Sequence, residues 1–211
     1  YMYAHQDIRE ALCASIERIG DIERIVGRIA LGTAQVHDYH LLYNALQHIP
    51  RVKEKLRDGA SKLLDRLAEQ IDDFSPVYQE LDRALEDQDS DWIIRKGYDA
   101  ELDRLREIVE DASQKLLELE RSEQERTGIS SLKIRYNSVH GYVIEVTKPN
   151  LHLVPDTYIR VQTLVNRERF TTDQLRDIEH DIQNAHSTIT QRQNEVYQQV
   201  VAYVGQYIPR L

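Results

Sequence analysis

The chain has 211 residues, with 27 Lys and Arg against 36 Asp and Glu for a formal charge of −9, 41% apolar residues, 30% charged residues, 8 Gly and 5 Pro. That is too apolar for a disordered chain and long enough for one or two domains with their own cores. A single cysteine, Cys13, excludes an intramolecular disulfide framework and a Cys-based zinc site, and favours a reducing compartment. No window approaches the roughly 18 uninterrupted apolar residues of a membrane span, and no charged stretch followed by an apolar run opens the chain. A cytoplasmic protein without span or secretory signal is therefore expected. The opening Tyr1-Met2-Tyr3 lacks an initiator Met, so the chain reads as a piece of a longer one.

Scarce Gly and Pro with abundant Glu, Leu, Arg, Gln and Ala favour long helices. From Ala11 to about Gln47, Leu12, Ile16, Ile19, Ile22, Ile25, Val26, Ile29, Leu31, Leu41, Leu42 and Leu46 recur at steps of three and four, which predicts two or three packed helices. Gly20, Gly32 and Pro50 punctuate them. Helix is expected to continue from Val52 to Ile71, and Ser75-Pro76 predicts a cap with Pro in the first turn of a short helix reaching about Glu86. The acidic run 86–91 has the composition of a solvated loop.

Tyr98, Leu102, Leu105, Val109, Ala112, Leu116 and Leu119 then follow the 4, 3, 4, 3 spacing of a heptad stripe, so one helix is predicted from about Tyr98 to Arg126, with Gly128 just beyond its end. The period changes to two at Leu132, Ile134 and Tyr136, and Tyr142 to Thr147 is rich in β-formers, which together predict a hairpin turning at Ser138-Val139-His140-Gly141. Lys148-Pro149-Asn150 is expected to turn the chain. Further strands are expected at Tyr158–Thr163 and Arg169–Thr171. Thr171 with Gln174 matches a capping box, and Leu175, Ile178, Ile182, Ala185, Ile189, Val196, Val200 and Tyr203 restore the helical rhythm to about Tyr207. The expected fold is mainly α, with two long antiparallel helices carrying a small β-sheet at the tip.

Charge is unevenly spread. Residues 129–172 hold Lys133, Arg135, Lys148, Arg160, Arg167 and Arg169 against Glu145, Asp156 and Glu168, so the acidic excess lies entirely outside the β segment. A basic module on acidic helices suits contact with a polyanion at one place. Asn137, Ser138, His140, Asn150, Thr163, Asn166 and Thr171 add side chains able to hydrogen-bond phosphate oxygens. Ordinary surface variation accounts for a surplus of three charges equally well, and a coiled-coil scaffold whose β tip binds a protein partner is the competing reading.

Other candidates carry less. His37 and His40 share a helical face but lack a third ligand, so no metal site is expected. Cys13 has no flanking base and reads as an inert buried thiol. Tyr136 and Tyr142 read as sheet packing rather than base stacking. No constellation supports catalysis, and no cofactor is expected in this chain.

Four stretches nevertheless resemble one family. Gly20-Asp21-Ile22-Glu23-Arg24-Ile25 with Arg28–Ala34, and Gly97-Tyr98-Asp99-Ala100-Glu101-Leu102-Asp103, look like lever-domain signatures of the bacterial DNA mismatch repair family MutS. Glu123–Ile129 followed by Ser131–Val146 is similar to that family's approach to its clamp domain, and Gln162–Phe170 resembles the exit. The resemblance implies a helical core or lever at 1–126, a clamp at 127–172 inserted in it, and a lever return helix at 173–211. It also implies that paired clamps of a homodimer contact the backbone of double-stranded DNA without sequence specificity, while the levers link occupancy to a distant ATPase in the nucleoid-associated full-length protein. The candidate DNA contacts are then Lys133, Arg135, Asn137, Ser138, His140, Lys148, Arg160, Asn166, Arg167 and Arg169. ATP and magnesium would belong to the full-length protein; the oligomeric state of this segment stays open.

The sequence departs from the family pattern at His37-Asp38-Tyr39, where Arg-Asp-Leu is usual, and at Val165, and it lacks the family's mismatch wedge and nucleotide loop. Val165 stands where the family usually has Lys, with Arg167 two positions on. Neither Phe74-Ser75-Pro76 nor Phe170-Thr171-Thr172 supplies the Phe-x-Glu mismatch wedge. Gly27 and Gly32-Thr33 imitate a phosphate loop without its Lys.

Overall fold

The computed structural model describes residues 5–58 and 61–211, and within them eight α-helices and one four-stranded antiparallel sheet. The expectation of a mainly α fold with a small sheet holds. None of the described helices is long and apolar enough to cross a membrane. The chain divides into two compact units, one formed by residues up to Asp99 together with Gln193–Leu211, the other by Ala100–Arg192.

The first unit contains α1 (Gln6–Glu17), α2 (Ile22–Ala30), α3 (Val36–Leu46), α4 (Ile49–Arg57), α5 (Lys62–Gln70) and α6 (Ser75–Ala84), plus the last part of α8 (Asp173–Gly205). Asp21 caps α2 by accepting the Arg24 N–H at 3.0 Å, and Gly32, at φ +68°, lies just past its end. Gly27 sits inside α2, so the two glycines belong to a helix and its end rather than to a phosphate loop. Ile25, Ile29, Leu42, Leu46, Val77, Leu81, Val200 and Val204 form the principal core, while Val52, Leu56, Leu64 and Ala68 form a smaller one with Leu12 and Ile19 against it.

Three expectations need correction here. The single helix expected over 52–71 is two, α4 and α5, because α4 ends at its C-cap Asp58 and Ser61, in extended conformation, is the N-cap of a new helix; residues 59–60 lie outside the described set, as does the Tyr1-Met2-Tyr3 opening. Ser75 is not the cap of α6 but its first residue, and Asp73 accepts the Ser75 N–H at 2.9 Å instead. Cys13 is exposed, since α1 turns Leu12 toward the small core and the adjacent position points about 100° away.

The second unit is built from α7 (Ala100–Thr127), β1 (Lys133–Asn137), β2 (Gly141–Thr147), a 3-10 turn (Lys148–Leu153), β3 (Ile159–Thr163), β4 (Arg167–Thr171) and α8 as far as Arg192. α7 ends as its composition requires, with Gly128 at φ +72°. The capping hydroxyl of α8 is Thr172 and not Thr171: its Oγ1 accepts the Leu175 N–H at 3.2 Å. The heptad stripes meet as expected. Ala112, Leu116 and Leu119 of α7 share one core with Leu175, Ile178 and Ile182 of α8, and Arg192 pairs with Glu101, so the helices run antiparallel.

Strand order is β1-β2-β4-β3, all antiparallel, with a bulge in β3 between Arg160 and Gln162. Alternation sends Ile134, Ile144, Val146 and Phe170 into the α7/α8 core. The edge strand β1 is tied to α7: Glu120 accepts the Ile134 N–H at 2.7 Å, and Gln124 Nε2 donates to the Leu132 carbonyl at 2.7 Å. At the foot of α7, buried Glu123 accepts from Tyr158 Oη and from Arg126, fixing the start of β3. Burial, together with the Glu123 carboxylate, pushes the Tyr158 hydroxyl pKa well up.

Leu119→Ala should lower the unfolding free energy by about 2 to 4 kcal/mol, measured by denaturant titration, because its site is enclosed by both helices and the sheet. Gly141 has φ +69°, and a Cβ added there would meet the Glu179 carboxylate, so Gly141→Ala should cost about 1 to 2 kcal/mol in the same assay.

Candidate nucleic-acid interface

The face of the sheet away from α7 and α8 collects the odd-numbered residues of β1, β2 and β4. The register aligns Lys133 with Glu145 and Glu145 with Arg169, and sets Arg167 opposite Thr147. Ser131, Lys133, Arg135, Glu145, Thr147 and Arg167 line a shallow hollow of about 120 Å³ on this face. Three cations thus surround one carboxylate, with two hydroxyls able to donate to an oxyanion.

The carboxylate is central. Glu145 is buried, yet it receives Arg167 Nη1 at 2.6 Å on one oxygen, and Arg169 Nε and Nη2 at 2.9 and 2.8 Å on the other. Burial would raise its pKa; the arginine hydrogen bonds outweigh that and hold it below the ordinary value of 4.5. At the edge, Lys133 Nζ lies 2.9 Å from Glu120, whose carboxyl is likewise held low by Lys133 and the Ile134 N–H against the opposing effect of burial.

The two arginines on Glu145 differ in what they leave free. Arg169 has its Nη1 on Gln162 Oε1 at 2.7 Å, so all three of its nitrogens are engaged and its side chain is only 18% exposed. Arg167 uses one nitrogen and its side chain is 52% exposed. Arg135 and Lys148 are exposed and have no ion-pair partner among the described residues.

The remaining residues singled out from sequence do not all share this face. Lys148 and Asn166 adjoin it, since the Lys148 N–H donates to the Asn166 carbonyl at 3.1 Å at the Thr147/Arg167 end of the sheet. Asn137, Ser138 and His140 form the β1–β2 turn, which the antiparallel register puts at the opposite end. There the Asn137 side-chain oxygen is occupied, accepting the N–H groups of Val139 and His140 at 3.0 Å each. Arg160 pairs in register with Phe170 and therefore belongs to the core side of an edge strand, where its Nε lies 2.8 Å from the buried Glu168. The interface on one face is thus Lys133, Arg135 and Arg167, with Lys148 and Asn166 beside it.

Residues 97–188, which enclose this sheet, all of α7 and about half of α8, match the family model described as MutS family domain IV. The chain is 39% identical to the DNA mismatch repair protein MutS of Methanothrix thermoacetophila over 90% of its own length, 39% identical to that of a Geobacillus species over 100%, and 36% identical to that of Listeria monocytogenes over 100%. The chain belongs to the MutS family. It spans only 23% to 25% of those relatives' length, so it corresponds to a segment of them.

In this MutS segment, sequence reasoning overlooked the carboxylates. Glu120 and Glu145 organise the cations, but Glu145 meets Arg169 only through the β2–β4 pairing, which no local pattern announces. Elsewhere, His37 and His40 line a hollow with Asp87 and Trp92; burial first, then the neighbouring His37, lowers the His40 pKa. No group of three or more His, Cys, Asp or Glu among the described residues could hold a metal ion.

Glu145 and Glu120 bind protons less readily folded than unfolded, so the stability they contribute is present above the ordinary carboxylate range and is lost as pH falls through it. The Glu120→Gln/Glu145→Gln double variant should therefore lose less melting temperature than the parent between about pH 6 and pH 3. An equal acid loss in both would remove these carboxylates as a source of pH dependence.

Proposed function

We propose that the outward face of the sheet contacts the phosphate backbone of double-stranded DNA without reading sequence, as a non-catalytic segment of a mismatch repair protein. The observation that carries this reading is the hollow ringed by Lys133, Arg135 and Arg167 with the Ser131 and Thr147 hydroxyls, continued at one end by Lys148 and Asn166. Such a surface neutralises phosphates and offers side-chain donors, while the helices that hold it are acidic and add no attraction of their own. The names of the relatives, all DNA mismatch repair proteins, agree with it.

In this reading, α7 and α8 form the lever. Their shared core of leucines and isoleucines gives it stiffness, so displacement of the sheet moves the helices as one element. The ATPase, with its ATP and magnesium, resides elsewhere in the full-length chain, and a homodimer supplies the second clamp that closes the ring. A protein-docking tip would instead call for a contiguous apolar patch. The most exposed apolar residues of the sheet, Val139 and Val165, lie in turns at its opposite ends.

Backbone binding of this kind is salt-dependent. With about four phosphates neutralised, duplex affinity should fall roughly a hundredfold between 50 and 200 mM salt. Arg135→Ala/Lys148→Ala should weaken binding equally for unrelated sequences and flatten the log–log salt slope by about two, read by fluorescence anisotropy. Unchanged affinity in that variant, or salt-independent binding by the parent, would overturn the reading.

A further inference from the structure

The hollow contains its own anion. Glu145 occupies the position between Lys133 and Arg167 where a phosphate oxygen would draw on the same donors, and it already accepts the single hydrogen bond of Arg167 at 2.6 Å. Two features make this more than a structural ion pair. Arg167 is half exposed, and its other nitrogens have no partner among the described residues, so it can turn toward a ligand without opening the core. Glu145 would not be left unpaired, because Arg169 holds its other oxygen through two nitrogens and is itself locked by Gln162. Removing the only partner of a buried carboxylate is costly; removing one of two is much less so.

We propose that Glu145 is a built-in competitor for the DNA phosphate: it holds Arg167 in the free protein, and a backbone phosphate takes Arg167 from it while Arg169 remains on Glu145. This deepens the nucleic-acid reading above and rests on it. The consequence is an interface tuned toward weak, easily reversed contact. The cation is kept pointing along the sheet face, yet each binding event must displace an internal carboxylate and tolerate its negative charge beside the phosphate. Lys133 obeys a related arrangement through Glu120, but that carboxylate sits on α7 at the edge and outside the hollow.

The test compares Glu145→Gln with the parent for a 20-base-pair duplex by fluorescence anisotropy. Glutamine keeps a carbonyl for Arg169 and loses the charge. Affinity should rise on the order of threefold to tenfold, with the salt slope nearly unchanged, because Arg167 reaches the phosphate in both proteins. Asp181→Asn, the same charge change at an exposed position on α8, should leave affinity within twofold of the parent. Should Glu145→Gln melt early, NMR of the parent decides: adding duplex should shift the Arg167 side-chain Nε–H resonance and leave that of Arg169 in place. Binding by the parent with no gain in a stably folded Glu145→Gln, or an equal gain from Asp181→Asn, or an unmoved Arg167 signal, overturns this inference alone. A parent that shows no salt-sensitive duplex binding overturns the nucleic-acid reading and this inference with it.

Discussion

A sheet of four strands, each five to seven residues long, has little to stabilise it unless one of its faces is covered. In this segment α7 and α8 supply that cover, and everything else in the second unit follows from it. Ile134, Ile144, Val146 and Phe170 go inward because the helices present Leu116, Leu119, Ile178 and Ile182 to them. Since side chains alternate, Lys133, Arg135, Arg167 and Arg169 are then forced to the other side. A one-residue slip of register would bury the cations against leucine and expose the core, so packing energy and charge placement are the same constraint seen from two faces.

Concentrating like charge on a small surface has its own cost, and the carboxylates meet it. Glu145 neutralises the centre of the face, Glu120 the β1 edge and Glu168 the core side of β3. Their exposures differ in a useful way. Arg169 is shielded and fully engaged, Arg167 is half free, and Arg135 and Lys148 have no ion-pair partner among the described residues. The sheet therefore offers a gradient from structural to available cations, whereas the sequence presents them as an undifferentiated set.

The heptad stripes are legible because helical burial is periodic: of the residues they name in α7 and α8, Leu102, Ala112, Leu116, Leu119, Leu175, Ile178, Ile182, Ala185, Ile189, Val196 and Val200 are buried, and Leu105 and Val109 half-buried. The hairpin at 137–141 was equally plain from the switch to period two. Capping was read less well. Thr172 and Asp73 take the roles expected of Thr171 and Ser75, one or two residues away, because several adjacent hydroxyls and carboxylates could cap and only the backbone path selects one. Cys13 is exposed rather than buried for a similar reason: an apolar neighbourhood in sequence does not say which side of a short helix faces the core.

Sequence alone determined the order of elements, the antiparallel helix pair, the family resemblance and the concentration of positive charge in the β segment, since each depends on periodicity or composition over contiguous residues. Tertiary structure alone decided that Lys133, Arg135 and Arg167 ring one hollow, that Asn137, Ser138 and His140 lie at the far end, that Arg160 sits on the core side, and that Glu145 stands among the arginines. Those outcomes depend on which strands pair and in what register. β2 and β4 are separated by nineteen residues, and pairing over that separation is settled by burying one face of the whole sheet, not by any local preference of the strands themselves.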